Sequence, residues 1–387
     1  MTPGERLERL DALLPAFREL WHPQPFREPR PAWCADFPEL AGELLALDDA
    51  AAEHLNDDAT AALALLGRHR PEVAELAVLA ELPMRTAAPA PDGLAACWAW
   101  EIPGRKQRQI EAFAAAAPVT GRPVLDWCGG KGHLGRLLAL HWQTPVTTLE
   151  IDPALCAAGE ALAERQALAH EFLVADALTA DIPAGRHAVA LHACGELHRR
   201  LVEGAADAGL AGLDVAPCCY HRGIADAYRP LSGPLRTELS RDDTRLAVTE
   251  TVTASPRLAR QRDREMAWKL AFAEWQRQTL GAYRNFRPVP AAWFRAAFPE
   301  FLAAMAARAG LPLPSAAQAD ACEAAGWRRQ REVIRLSIVR HAFRRSLEVW
   351  LALDLAVHLE NRGYAVQLGR FCPRQLTPRN LLLSARR

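Results

Sequence analysis

Lysine is nearly absent. Only Lys106, Lys131 and Lys269 occur among 46 basic residues, and two of the three fall in or just before a glycine-rich stretch. Net charge is absent too, because 46 acidic residues balance the basic ones. No overall field therefore draws the chain to nucleic acid or membrane, although such a balance can conceal local patches. No uninterrupted apolar run approaches membrane-spanning length, so no membrane partner is expected. Glu5, Arg6, Glu8 and Arg9 interrupt the first apolar residues; the N-terminus does not read as a signal peptide, and a cytoplasmic location is expected. Nine scattered cysteines, an odd number with no CxxC pair, fit reduced thiols better than a disulfide framework. There is no internal repeat and no low-complexity linker.

Four segments are distinguishable. Residues 1–104 show apolar residues at helical spacing, broken near Asn56 to Asp58 and at Pro71 and Pro83, and read as an N-terminal helical unit. Across 105–224, short β-like runs alternate with helical stretches: PVLDW, VTTLEID, HEFLVAD, HAVALHACG and GLDVAPCCYH. Strands alternating with helices imply parallel βαβ units with right-handed crossovers, hence an α/β doubly wound sheet of the Rossmann-like kind. Residues 225–332 read as a helical insert rich in arginine and aromatics. Residues 333–387 complete the sheet with one or two long helices ending at Gly363, then two antiparallel strands, AVQLGRFC and NLLLSARR.

The stretch VLDWCGGKGHLG carries the strongest signal. A strand ending at Asp126, followed by Cys128, Gly129, Gly130 and Gly132 and then a helix, is a nucleoside-binding turn, because glycines let the backbone bend and approach a ligand. No Gly-Lys-Ser/Thr follows, so it is not a phosphate-cradling P-loop. Glu150, at the end of the next strand, is placed to accept from ribose hydroxyls. Asp176, at the end of the third, is placed to accept from an adenine amino group. Asp152 and Ala177, in LEID and VADAL, stand beside them. Acidic residues at strand ends also cap helices, but the ordered set favours a ligand. NAD fits the same geometry; the Asp opening the loop and the C-terminal strand pair favour S-adenosyl-L-methionine.

At the fourth and fifth strand ends stand HACG and PCCYH, which in an open α/β sheet line the same crevice. His192 and His221 are candidate general bases, His192 also touching the cofactor. Tyr220 is a candidate to stack on or hydrogen-bond the acceptor, and the Pro217, Cys218 and Cys219 backbone to accept from an amine. Zinc could be drawn from Cys194, Cys218, Cys219 and the histidines. Adjacent cysteines do not easily ligate one ion, however, so a polar pocket without metal is expected. Lys106 is a further candidate for substrate contact.

VLDWCGGKGHLG, LEID, VADAL, LHACGEL, APCCYH and TPRNLLLSAR resemble the class I S-adenosylmethionine methyltransferase domain of the methyltransferase-like protein 25 family. They resemble equally the methyltransferase domain of the glutathione S-transferase C-terminal-domain-containing protein. The resemblance covers about 105–225 and 333–387, and implies a seven-stranded class I methyltransferase sheet, methyl transfer, and S-adenosyl-L-methionine as cofactor. Cys128 stands where the commoner loop has glycine. The N-terminal helices and the insert match no family pattern.

Local patches bear on the acceptor. From Arg257 to Arg287, eight basic residues face three acidic ones, interleaved with Trp268, Phe272, Trp275, Tyr283 and Phe286. From Arg328 to Arg345 there are seven arginines and one glutamate. Basic and aromatic interleaving suits phosphate contact plus base stacking, so RNA, tRNA or rRNA, is expected with Arg260, Arg262 and Arg264 as contacts. The competing expectations are a buried aromatic face with solvated arginines, a protein or small-molecule acceptor, and a non-catalytic cofactor-binding interaction protein.

Overall fold

The computed structural model describes residues 1–86, 96–99, 101–249 and 256–387. Two compact units emerge: one from 1–16, 75–252 and 344–387, the other from 17–74 and 253–343.

The first unit is built on a seven-stranded sheet. Its strands are β1 (Val124–Trp127), β2 (Val146–Glu150), β3 (His170–Val174), β4 (His187–Cys194), β5 (Gly212–Cys218), β6 (Ala365–Arg370) and β7 (Leu381–Arg386), in the order β3-β2-β1-β4-β5-β7-β6. β1 to β5 are mutually parallel, while β7 runs antiparallel to both β5 and β6. This is an α/β, doubly wound sheet of seven strands closed by an antiparallel pair, as the sequence predicts. Helices Gly104–Ala116, His133–Trp142, Pro153–Glu164, Glu196–Gly204 and Arg344–Asn361 accompany it. β5 is buried along its whole length, as a strand covered on both faces must be. On that strand Asp214 lies 2.8 Å from His187 Nε2 and 2.6 Å from an Arg386 guanidinium nitrogen, and accepts from Ser384, tying β4, β5 and β7 together.

The order reverses at β1, whose neighbours β2 and β4 lead outward in opposite directions. A crevice opens beyond the carboxyl ends of strands at such a point, and this is where ligands bind open α/β sheets. Around it pack Phe113, Leu134, Leu137, Leu138, Trp142 and Phe371, all buried, with Phe113 and Phe371 edge to face at 5.8 Å.

Segments 1–104 and 225–332 are each divided between the two units. Helix Pro3–Leu13, fixed by a capping box between Thr2 and Glu5, joins the first unit: Asp11 accepts from the Arg236 and Thr237 amides and from Trp350 Nε1. The long C-terminal helical stretch breaks at Phe343 into Ala316–Ala342 and Arg344–Asn361, the former in the second unit. In that unit Ala316–Ala342 packs on Pro256–Leu280 at Gly326, where a Cβ would come within 2.4 Å of the Ala267 carbonyl. Burial of apolar faces decides these pairings, and no local pattern announces which face meets which. No helix among the described residues is long and apolar enough to cross a membrane.

One buried carboxylate fastens the loop after β5 to the core. Asp354 accepts from Tyr228 (2.7 Å), from the Leu231 and Ser232 amides (2.9 and 2.8 Å) and from the Ser232 hydroxyl (2.6 Å). Leaving a buried donor without an acceptor costs about 1–3 kcal/mol each. Asp354→Ala is therefore expected to lower the stability of the full chain by about 3 kcal/mol or more, read as a fall in urea midpoint. Asp354→Asn, which keeps one acceptor oxygen, should fall less.

Candidate active site

The loop after β1 is held from beneath. Asp126 is 1 % exposed, and its Oδ2 accepts from the Gly135 amide (3.0 Å) and from Thr148 Oγ1 (3.3 Å). A Cβ on Gly129 would stand 2.4 Å from the same oxygen, so only glycine lets the chain pass over the carboxylate. Cys128, Gly130 and Gly132 have φ of +57°, +61° and +60°. Gly132 is the N-cap of helix His133–Trp142, and a Cβ there would strike His170. Asp126 thus serves as a strut under the loop, its Oδ2 bonded inward. Burial raises its pKa to about 6, against hydrogen bonds from Gly135 and Thr148 that lower it.

Above the loop, Glu150 is half-buried and accepts three backbone N–H groups: Gly130 (3.0 Å), Ile151 (2.9 Å) and Asp152 (3.1 Å). A carboxylate offers about four lone-pair sites, so acceptance toward the crevice remains. A Cβ on Gly130 would meet nothing within 4 Å, which leaves open space beside Glu150. Asp176 Oδ1 accepts from the Leu178 amide (2.9 Å), and Ala177 is buried behind it. Asp152 is the exposed N-cap of Pro153–Glu164 and accepts from the Ala154 amide (2.8 Å), so its carboxylate has a structural use. Cys128 is half-buried with its pKa raised to about 12 by burial and by Glu150 and Asp126, and so remains a neutral thiol.

Across the crevice, β4 and β5 end in irregular backbone. His192 (φ +74°) and Cys219 (φ +46°) are in the left-handed region that side chains other than glycine avoid. His192 has Nε2 3.1 Å from Gln109 Oε1 in a part-buried contact, and partial desolvation of its ring, then the charge of Lys106, lowers its pKa. The exposed Lys106 also acts by its charge on Asp126, lowering its pKa. The two strand ends are clasped: the Gly195 amide donates to the Cys218 carbonyl (3.0 Å) and the Glu196 amide to the Arg222 carbonyl (3.0 Å). Gly195 is obligatory there, since a Cβ would lie 2.1 Å from the Arg222 oxygen.

The Sγ atoms of Cys194, Cys218 and Cys219 come together here, all within 4.8 Å of one another. Hydrogen bonds from Cys194 and Cys218, aided by Arg379 and Arg222, hold the Cys219 thiol well below its ordinary pKa, while Cys218 is pushed up. Of the carbonyls expected to meet an acceptor amine, those of Cys218 and Cys219 already accept from Gly195 and Arg222, and Pro217 is buried.

Tyr220 is corrected more sharply. It is 2 % exposed, edge to face with His198 at 5.5 Å, and its hydroxyl is buried without a hydrogen-bond partner among the described residues. Its ring belongs to the core and offers no face to an acceptor. His221 is half-buried with Nδ1 unpartnered, and burial lowers its pKa. Sequence reasoning missed Gln109, Arg222 and Arg379. Arg379 stands in the TPRN motif already noted, whereas Gln109 gave no signal, being one polar residue on an amphipathic helix.

Arg260, Arg262 and Arg264 lie exposed on Pro256–Leu280 in the second unit, Arg264 with its guanidinium 5.5 Å from the Trp268 ring centre. Trp268, Phe272 and Trp275 belong to a buried cluster with Phe294, Phe298 and Phe301, so they are unavailable for base stacking. Three of the seven arginines in the second run are ion-paired among the described residues: Arg329 with Glu332, Arg335 with Asp49, Arg345 with Glu348.

Residues 105–224 match the family described as "Methyltransferase domain". No curated protein matches the chain. Solved structures that it resembles include a putative sarcosine dimethylglycine methyltransferase from Galdieria sulphuraria (15% identity, 28% of this chain and 46% of that one, TM-score 0.25). Coclaurine N-methyltransferase is another (15%, 47% and 62%, TM-score 0.25), as is the 23S rRNA methyltransferase ErmE (17%, 59% and 96%, TM-score 0.26). The chain spans less than two thirds of the length of the first two. The matched segment carries β1 to β5 and the glycine loop, so it is the crevice-forming part of the sheet that is similar to a methyltransferase domain.

Two outcomes test the loop. Cys128→Gly relieves a left-handed cysteine and is expected to keep cofactor binding and to gain up to about 1 kcal/mol of stability, read by calorimetry with S-adenosylhomocysteine and by thermal midpoint. Asp126 titrates near 6 when folded and 3.8 when unfolded. Between those values the native carboxyl holds a proton that the unfolded chain releases, so its contribution to stability falls as pH rises through this window, by on the order of 3 kcal/mol. Relative to wild type, Asp126→Asn should therefore gain stability between pH of about 4 and 7; urea midpoints with the same pH dependence in both proteins would contradict this.

Proposed function

We propose that the protein is an S-adenosylmethionine-dependent methyltransferase acting on RNA. The observation that carries the enzymatic reading is the Gly129–Gly132 loop closed over Asp126 and bonded to Glu150 where the strand order reverses. Open space beside Gly130, together with the spare acceptance of Glu150, fits a ribose, and Asp176 stands at the next strand end for the adenine.

Bound there, S-adenosyl-L-methionine supplies a methyl group on a sulfonium that leaves as a neutral thioether. The chain must then align the acceptor and take up one proton. His192 is suited to the second task. With Gln109 Oε1 accepting, Nε2 carries the hydrogen and Nδ1 is the basic atom. Burial and then the Lys106 charge lower its pKa, which favours the neutral imidazole that receives a proton.

Support for RNA is the exposed basic face formed by Arg260, Arg262 and Arg264, which suits phosphates. A second reading, a protein or small-molecule acceptor, is favoured by the burial of Trp268, Phe272 and Trp275 and by the ion pairs in the second arginine run.

Methyl-labelled cofactor incubated with the protein and whole-cell extract separates the two. Label that disappears on ribonuclease treatment is the expected result; label that survives transfers the reading to protein or small molecules, and no label at all overturns it. Glu150→Ala is expected to weaken cofactor binding by roughly tenfold to a hundredfold, the worth of a hydrogen bond to a charged group. His192→Ala should leave cofactor binding intact and lower the rate by about a hundredfold or more, measured as single-turnover methyl transfer.

A further inference from the structure

Cys218 and Cys219 are neighbours at a strand end, and successive residues of a strand point to opposite faces. Two backbone irregularities override that alternation. Cys219 has φ +46°, which turns its side chain out of the strand's pattern. The β4–β5 register shifts between Leu191 and Cys194, an irregularity of the kind that re-aims a side chain beside a functional site. Together they gather three thiols that a regular sheet would scatter. Holding a cysteine in the left-handed region costs on the order of 1–2 kcal/mol, and contacts among neutral thiols are too weak to offset it.

We propose that Cys194, Cys218 and Cys219 form a binding site for a thiophilic divalent cation of the zinc class, with three thiolates as ligands and a fourth position open to the crevice. Tetrahedral zinc with bonds of about 2.3 Å sets its sulfurs about 3.8 Å apart. The trio already matches this closely: Cys194 and Cys218 are 3.5 Å apart and all three sulfurs lie within 4.8 Å. Three thiolates around a divalent ion leave one negative charge, and Arg222 and Arg379 act on Cys219 with the opposite sign. Cys218 is buried while Cys194 and Cys219 are half-buried, which leaves one side of the trio accessible. Three protein ligands with an open position is the pattern of catalytic rather than structural zinc. Two residues beyond Cys219, His221 Nδ1 is buried without a partner among the described residues, a nitrogen with no internal use.

The full chain, stripped of metal with a chelator and kept reduced, is titrated with Co²⁺. The expected result is one equivalent bound, with an intense near-ultraviolet thiolate-to-cobalt band and visible bands of tetrahedral cobalt, both removed by Zn²⁺. Cys194→Ser and Cys219→Ser should each weaken binding by at least about tenfold while circular dichroism shows them folded. Cys372→Ser, in a separate buried cluster, should not change it. Absence of the thiolate band in the wild-type chain, or its persistence at full affinity in Cys219→Ser, overturns the proposal. Cobalt is read without cofactor or acceptor, so this failure is distinct from failure of the methyltransferase reading.

Discussion

Everything in the crevice depends on the buried carboxylate at the end of β1. Asp126 is desolvated at a cost, offset in part by the Gly135 amide and the Thr148 hydroxyl, which both bond its Oδ2 beneath the loop. The Gly135 bond fixes the start of helix His133–Trp142, the Thr148 bond fixes β2, and the carboxylate's bulk dictates glycine at 129. With those three elements fixed, the Gly130 amide reaches Glu150 Oε2 while the Ile151 and Asp152 amides hold Oε1, so the loop and the end of β2 orient that carboxylate together.

The sheet was legible because its physics is local. Five parallel strands, their alternation with helices and the terminal antiparallel pair follow from periods of two and 3.6 residues and from turn residues, and each appears at its expected place. The partition into units was not legible. Helices of 17–74 and 253–343 bury apolar faces against one another across a long sequence separation, and an amphipathic pattern tells that a face is buried without telling against what.

Side-chain direction was the second thing the sequence withheld. Asp126, Asp152 and Tyr220 stand at the expected positions along the chain, yet one is a strut, one a helix cap and one a core ring. The aromatic residues of Arg257 to Arg287 show the same limit: interleaving along the chain became, on a helix, a buried stripe beside an exposed basic one. In the reverse direction, Gln109 was invisible until the helix Gly104–Ala116 brought its amide to His192.

Strain locates the working part of the crevice independently of any motif. Six residues other than glycine have positive φ among those described, and three of them, Cys128, His192 and Cys219, stand at the carboxyl ends of β1, β4 and β5. These strands are consecutive in the sheet, so the strained positions line one edge of one opening. Each costs on the order of 1–3 kcal/mol and persists only where the surroundings over-determine it. Here the surroundings are identifiable: the Asp126 strut for Cys128, the Gln109 contact for His192, and the clasp from Gly195 and Glu196 for the turn that follows Cys219. The three strained side chains also differ in the direction of their pKa shifts: burial, then Glu150 and Asp126, raise the Cys128 thiol; burial and then Lys106 lower the His192 imidazole; neighbouring thiols and two arginines lower the Cys219 thiol. Strain and charge state thus both single out the carboxyl ends of β1, β4 and β5, the same opening that the glycine loop lines.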